Sequence, residues 1–177
     1  LNDLATFDPD LLAAIQESGE SDPAAKLLQV AAYREMILRQ RINTAGVANM
    51  LAYASDEDLD NLVAKEPYNV QRLVIDPGNA EAIPPVDPIL ESDEELRRRA
   101  QLAPSRFSTA GPDEAYIFHA LSADPQVLDA SATSPEPVQS VVTILSRLGN
   151  GEASATLLDA VRDYFETQPV RPMTDEV

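Results

Sequence analysis

The stretch DPGNAEAIPPVDPILE, residues 76–91, holds four prolines in sixteen residues. Each proline fixes φ near −65° and removes a backbone donor, so neither a long helix nor a central strand can run through it. The chain has to organise itself on either side. We read residues 1–80 as a mainly helical domain and residues 81–91 as an extended Pro-rich linker. Residues 92–177 read as an α+β domain, in the order helix-helix-strand-strand-helix-strand. The fold class expected is therefore α+β: a helical N-terminal part, then helices packed on a small mixed or antiparallel sheet.

In the first part, DPDLLAAIQE (8–17) is a short helix with Asp8 as cap and Pro9 in its first turn. From Pro23, capped by Asp22, no breaker occurs until Gly46. That is a helix about 30 Å long; AGVANMLAYAS either continues it or forms a second, shorter helix, with Gly46 as the expected bend. Its apolar residues fall on more than one face: Leu27, Ala31, Leu38 and Ile42 on one side, Val30, Tyr33 and Ile37 on the next. A helix apolar on several faces is central in a bundle or lies at an interface. Glu35 and Arg39 form an i,i+4 pair. Arg34, Leu38 and Arg41 share one stripe and are the candidate partner-facing residues; the alternative places Leu38 in the core, with the arginines as its solvated rim. SDEDLDNLVAKE is a further helix capped by Ser55, with Leu59, Leu62 and Val63 as its apolar stripe, and NVQRLVI is a short strand.

In the second part, Ser92 and Glu95 make a capping-box pattern. Glu94–Arg98 and Glu95–Arg99 stand at ion-pair spacing, and the run Arg97–Arg99 reads as a solvated face offset by the acids before it. Residues 108–111 form a turn, and Pro112 opens a helix to about Ser122 that carries His119, the chain's one histidine. QVLDASATS and PVQSVVTILSR read as an antiparallel hairpin turning at SPEP, the second strand the more buried. LGNGEAS is a loop. A helix built on Leu157, Leu158, Val161 and Phe165 follows it, and PVRPMTDEV begins a third strand. The chain opens on Leu1 and closes on that unfinished strand, so a longer parent protein is expected.

Composition removes several classes of function. The formal net charge is −17, with fifteen acidic residues on each side of Pro88. Such a field repels the phosphate backbone that nucleic-acid binders neutralise, and it opposes anionic membrane surfaces. Cysteine is absent, which excludes disulfides, thiolate zinc sites and cysteine nucleophiles and fits a reducing compartment. No apolar run approaches the roughly 20 residues of a membrane span.

The sharper chemical readings fail on pattern. His119 with Ser108, Thr109, Asp113 and Glu114 invites a hydrolase, yet no nucleophile elbow such as G-x-S-x-G is present. Asp56, Glu57, Asp58 and Asp60 lack the glycine and terminal glutamate of an EF-hand loop and complement a helix dipole instead. RLGNGEAS has no lysine where a Walker loop needs one. No cofactor, metal or catalytic residue is assigned.

Taken in order, AYREMILRQRIN, FSTAGPDEAYIFHALSAD and VRPMTD resemble the baseplate assembly protein J family of contractile-tailed bacteriophages, over nearly the whole chain. One departure is KEPYNVQRL, where Pro67 and Asn69 stand in place of an expected glycine turn. The resemblance implies a structural protein rather than an enzyme. It implies contacts with other baseplate wedge proteins, copies of itself, and the central hub, spike or tail fibres. It places the protein in the virion tail baseplate, assembled in the bacterial host cytoplasm, with no nucleic-acid or membrane partner. Two other classes compete: an acidic, lysozyme-like tail hydrolase and a non-viral acidic adaptor domain.

Overall fold

The computed structural model describes residues 8–18, 23–108, 112–136 and 139–167. The chain divides into two units, Leu1–Val47 and Ala48–Val177.

The first unit contains α1 (Pro9–Ser18) and nearly all of α2 (Pro23–Ala48). Asp22, the expected cap of α2, lies outside the described residues. The helix runs through Gly46 without a break, because one glycine costs only about 1 kcal/mol relative to alanine. Of the two readings of AGVANMLAYAS, continuation holds as far as Ala48, and no separate helix forms over it. Residues 49–53 turn instead, with Tyr53 N and Ala54 N donating to Met50 O at 2.9 and 2.8 Å.

The second unit orders α3 (Asp56–Val63), β1 (Val74–Asp76), β2 (Ile89–Leu90), α4 (Asp93–Leu102), a 3-10 turn (Ala103–Phe107), α5 (Asp113–Ala123), β3 (Val127–Glu136), β4 (Gln139–Ser146) and α6 (Ala155–Thr167). Helices and two small antiparallel sheets, β1–β2 and β3–β4, make it an α+β fold. The turn residues 109–111 and the expected third strand at 169–177 lie outside the described residues. Pro112 is the cap of α5 rather than its first residue, at φ −64° and ψ 146°.

Two apolar clusters meet at α5. Phe118 packs with Leu59, Val63, Leu96, Ala100 and Ala103 from α3, α4 and the 3-10 turn. Tyr116, Ala120 and Leu121 pack with Val127, Ala130, Leu157, Val161 and Phe165 from β3 and α6. A helix clamped on two sides has to be apolar nearly all round, and DEAYIFHALSA buries six of its residues after the acidic first turn. The expected stripe of α6 is confirmed at Leu157, Val161 and Phe165, whereas Leu158 is exposed.

In the hairpin, Ala130 faces Ile144 and Ala132 faces Val142. A register shift between Val127 and Asp129 turns both Val127 and Ala130 inward, which strict alternation would forbid. β4 is not the more buried strand: Val141 and Leu145 stand in solvent, alternating with half-buried residues. Only one face of a two-stranded sheet is covered here, so β-branched composition does not mean double-sided burial.

Several local expectations give way to long-range ones. The capping box at Ser92 and Glu95 forms as read. Ser55, in contrast, makes no side-chain cap; Asp93 Oδ2 accepts from Asp56 N at 2.9 Å, so α4 caps α3. The i,i+4 pairs Glu94–Arg98 and Glu95–Arg99 do not form. Arg99 instead lies buried against Glu91, donating from Nε to Oε1 and from Nη2 to Oε2, each at 2.7 Å. Arg98 reaches Asp129 at 2.7 Å, and Glu95 takes Arg147 at 2.6 Å. Arg97 donates to Leu51 O and Ala54 O at 2.7 Å each. The arginine run is therefore a tertiary hub rather than a solvated face.

Arg72 completes the network, bridging Asp60 at 2.7 Å and Asp93 at 2.6 Å and donating to Glu91 O at 2.6 Å. This engagement leaves only two residues of NVQRLVI for β1, Val74 and Ile75. Before it, Asn69 adopts φ 48° and supplies the left-handed residue that glycine would give. The 81–91 linker is also revised. Its far end pairs with β1, Asn79 and Val86 exchange two backbone hydrogen bonds at 2.9 Å, and Glu91 is buried. Residues 76–89 form a closed arm of the second unit, and the boundary between units falls at Val47/Ala48. Proline excludes regular ladders but leaves the short pairing at an arm's root open.

Candidate protein interface

The feature that stands out is α2. It contains 26 residues, about 39 Å of helix, and none of them is buried. Leu27 is 72% exposed, Ile42 70%, Tyr33 60% and Leu38 59%. Leu38 is thus not a core residue. Arg34, Leu38 and Arg41 lie within one helical stripe, since steps of four and three residues return to the same side. All three are exposed, and the two arginines make no ion pair among the described residues. The expected Glu35–Arg39 pair forms at 2.5 Å, and Thr44 Oγ1 donates to Gln40 O at 2.9 Å. Burying a fully exposed Leu or Ile contributes about 1.5–3 kcal/mol each. Covering such side chains is therefore energetically favourable.

The hydrolase constellation does not assemble. His119 is 6% exposed and shut among rings: Phe118 at 5.3 Å and Phe165 at 6.4 Å edge-on, Tyr164 at 6.0 Å tilted. Neither imidazole nitrogen has a hydrogen-bond partner among the described residues. Burial pushes its pKa below the ordinary value; the Arg106 backbone opposes the shift without reaching hydrogen-bond geometry, and the Arg106 charge adds to it. Ser108 ends the 3-10 turn, and Thr109 lies outside the described residues.

The acidic run at 56–60 is partly used by the fold, since Asp60 binds Arg72. Among the described residues no three His, Cys, Asp or Glu side chains gather as a metal site would require. The glycine loop at 149–151 is a strand-to-helix turn. Gly151 sits at φ 93°, where a Cβ would fall 2.7 Å from Leu145 Cδ1, and Ser154 Oγ caps α6 by accepting from Leu157 N. Among the described residues no helix is long and apolar enough to cross a membrane.

Acid is expected to lower stability over two pH ranges. The folded pKa of His119 lies below its ordinary value of about 6.5. Its contribution is therefore present above that pH and is lost as pH falls toward the folded value. Asp93, held down by the Asp56 amide and then by Arg72, contributes above the ordinary carboxylate range and is lost below it. Urea midpoints measured from pH 8 to pH 3 test this. His119→Phe should flatten the loss in the upper range and leave that in the lower one; an unchanged loss in the upper range would refute the assignment.

Comparison with known proteins agrees with the resemblance drawn from the sequence. The Baseplate J-like N-terminal domain matches residues 20–79, and the Baseplate J-like central domain matches residues 108–177. Baseplate protein J of Escherichia phage P2 is 46% identical over 158 residues, which is 89% of this chain and 52% of that protein. The chain spans about half the length of this curated relative. Two matches in family order and identity at this level show that the chain belongs to the Baseplate J-like family.

Proposed function

We propose that this chain is a structural component of a contractile-tail baseplate and works by protein–protein contact, with α2 as a surface that a neighbouring tail protein covers. The observation that carries the proposal is a 26-residue helix with exposed leucines, isoleucines and a tyrosine and no buried residue. Family membership supports the setting, because the phage P2 relative is a baseplate protein. In this reading the contacts are those of a wedge component with other wedge proteins and with further copies, and the ring so formed meets hub, spike or fibre proteins. The site of action is the virion tail, reached after assembly in the host cytoplasm.

The test is co-expression of the full-length protein with each tail protein of the same phage, followed by light scattering for the mass of any complex. Arg34→Glu, Leu38→Asp and Arg41→Glu together should weaken the complex by about tenfold or more. The unfolding midpoint should stay put, since exposed substitutions change stability by about 0.5 kcal/mol or less. Wild-type protein that stays monomeric and binds no tail protein would overturn the proposal.

A further inference from the structure

The arm between β1 and β2 is built rather than loose. Its root is pinned by the Glu91–Arg99 pair, by Arg72 donating to Glu91 O, and by Gln126 Nε2 donating to Ile75 O at 3.1 Å. Further out, Asn79 and Val86 close the tip with their paired backbone bonds, and Asn79 Oδ1 accepts from Glu81 N at 2.9 Å. The two sides approach so closely at Gly78, φ 66°, that a Cβ there would lie 2.4 Å from Val86 O. Any other residue would force the arm open.

The closed tip presents Ile83 at 100% exposure, backed by Pro84 and Pro85, with Val86 and Ile89 also exposed along the arm. Exposed apolar residues scattered singly need no explanation, but several on one stiffened projection form a patch. The charges are one-sided: from Asp76 to Glu91 there are four acids and no lysine or arginine. Glu91 is consumed by Arg99, which leaves Asp76 exposed at the root and Glu81 and Asp87 exposed beside the tip. The tip at residues 80–86 also falls between the two family-domain matches, which end at 79 and resume at 108.

We infer that this arm is a second docking element, and that Ile83 enters an apolar socket rimmed by basic side chains on a different protein of the same tail. The shape argument is preorganisation: a tip already closed by hydrogen bonds and stiffened by proline loses little freedom on binding. The charge argument is complementarity, since an acidic tip around one apolar anchor selects a basic rim. The inference rests on the baseplate reading and is separate from α2.

The experiment uses the full-length protein and each other tail protein of the phage, purified singly, with affinity measured at low and high salt. Ile83→Asp should weaken one of these complexes by about tenfold or more, with an unchanged unfolding midpoint. Glu81→Lys with Asp87→Lys should weaken the same complex and reduce its salt dependence. If both variants bind every wild-type partner unchanged while the α2 variant does not, the arm inference fails and the baseplate reading stands. If the variants lose only self-association, the assignment to a different protein fails. If the wild-type protein binds no tail protein, both readings fail together.

Discussion

Glu91→Ala is expected to destabilise the second unit by about 3–5 kcal/mol, the range for breaking one side of a buried ion pair. Glu91 and Arg99 are 2% and 5% exposed, and their bidentate contact is the most buried charge pair among the described residues. Removing the carboxylate strands a guanidinium away from water, and it also takes away the acceptor of Leu73 N. Arg98→Ala is the control: its pair with Asp129 is nearly half exposed on both sides and should cost about 0–1 kcal/mol. Urea unfolding followed by far-ultraviolet circular dichroism separates the two. A Glu91→Ala loss no greater than that of Arg98→Ala would show that the buried pair adds nothing special. Replacing both partners together, Glu91→Leu with Arg99→Met, should recover much of the loss, because no unpaired charge then stays inside.

Phe165→Ala is the second large effect, expected at about 3–5 kcal/mol. The ring is 2% exposed, and its neighbours are Tyr116 at 5.9 Å, Tyr164 at 6.3 Å and His119 at 6.4 Å. It closes the cluster that holds α6 on α5 and the β3–β4 hairpin. Leu158→Ala, seven residues earlier on the same helix but 40% exposed, should cost under about 1 kcal/mol, since much of its surface already meets water. The same denaturation series measures both. Equal losses would mean that α6 is held by its helical propensity rather than by Phe165.

The parts of the fold that could be read along the chain are those whose causes are local. Ser92 and Glu95 sit three residues apart and cap each other, and Leu157, Val161 and Phe165 follow the helical period. The strands on either side of residues 137 and 138 pair with their neighbour. What escaped is set by residues far away in sequence. Glu94 and Glu95 offered Arg98 and Arg99 partners one helical turn back, but Glu91 and Asp129 hold them instead. A folded pair with several simultaneous bonds outweighs an exposed helical pair of about 0.3–0.5 kcal/mol. Ser55 lost its capping role to Asp93 for the same reason. The arm hid behind its prolines: they signal the absence of a ladder, and nothing local announces that Gly78 lets two backbones touch. At the candidate interface the several apolar faces of α2 were legible. That every one of them stands exposed was not, because periodicity tells which residues share a side and not what covers it.

The sharing of α5 between two clusters has an evolutionary consequence. A helix packed on one side can drift, rotating a few degrees or sliding a fraction of a turn as its neighbours change size. α5 has no such slack. A larger residue at Phe118 pushes toward α3 and α4, while one at Tyr116 or Ala120 pushes toward β3 and α6, and the backbone cannot yield to one without crowding the other. Substitutions in this helix have to be matched on separate elements at once. Among relatives of this chain, α5 should therefore vary least, and its spelling should be the most dependable guide to membership.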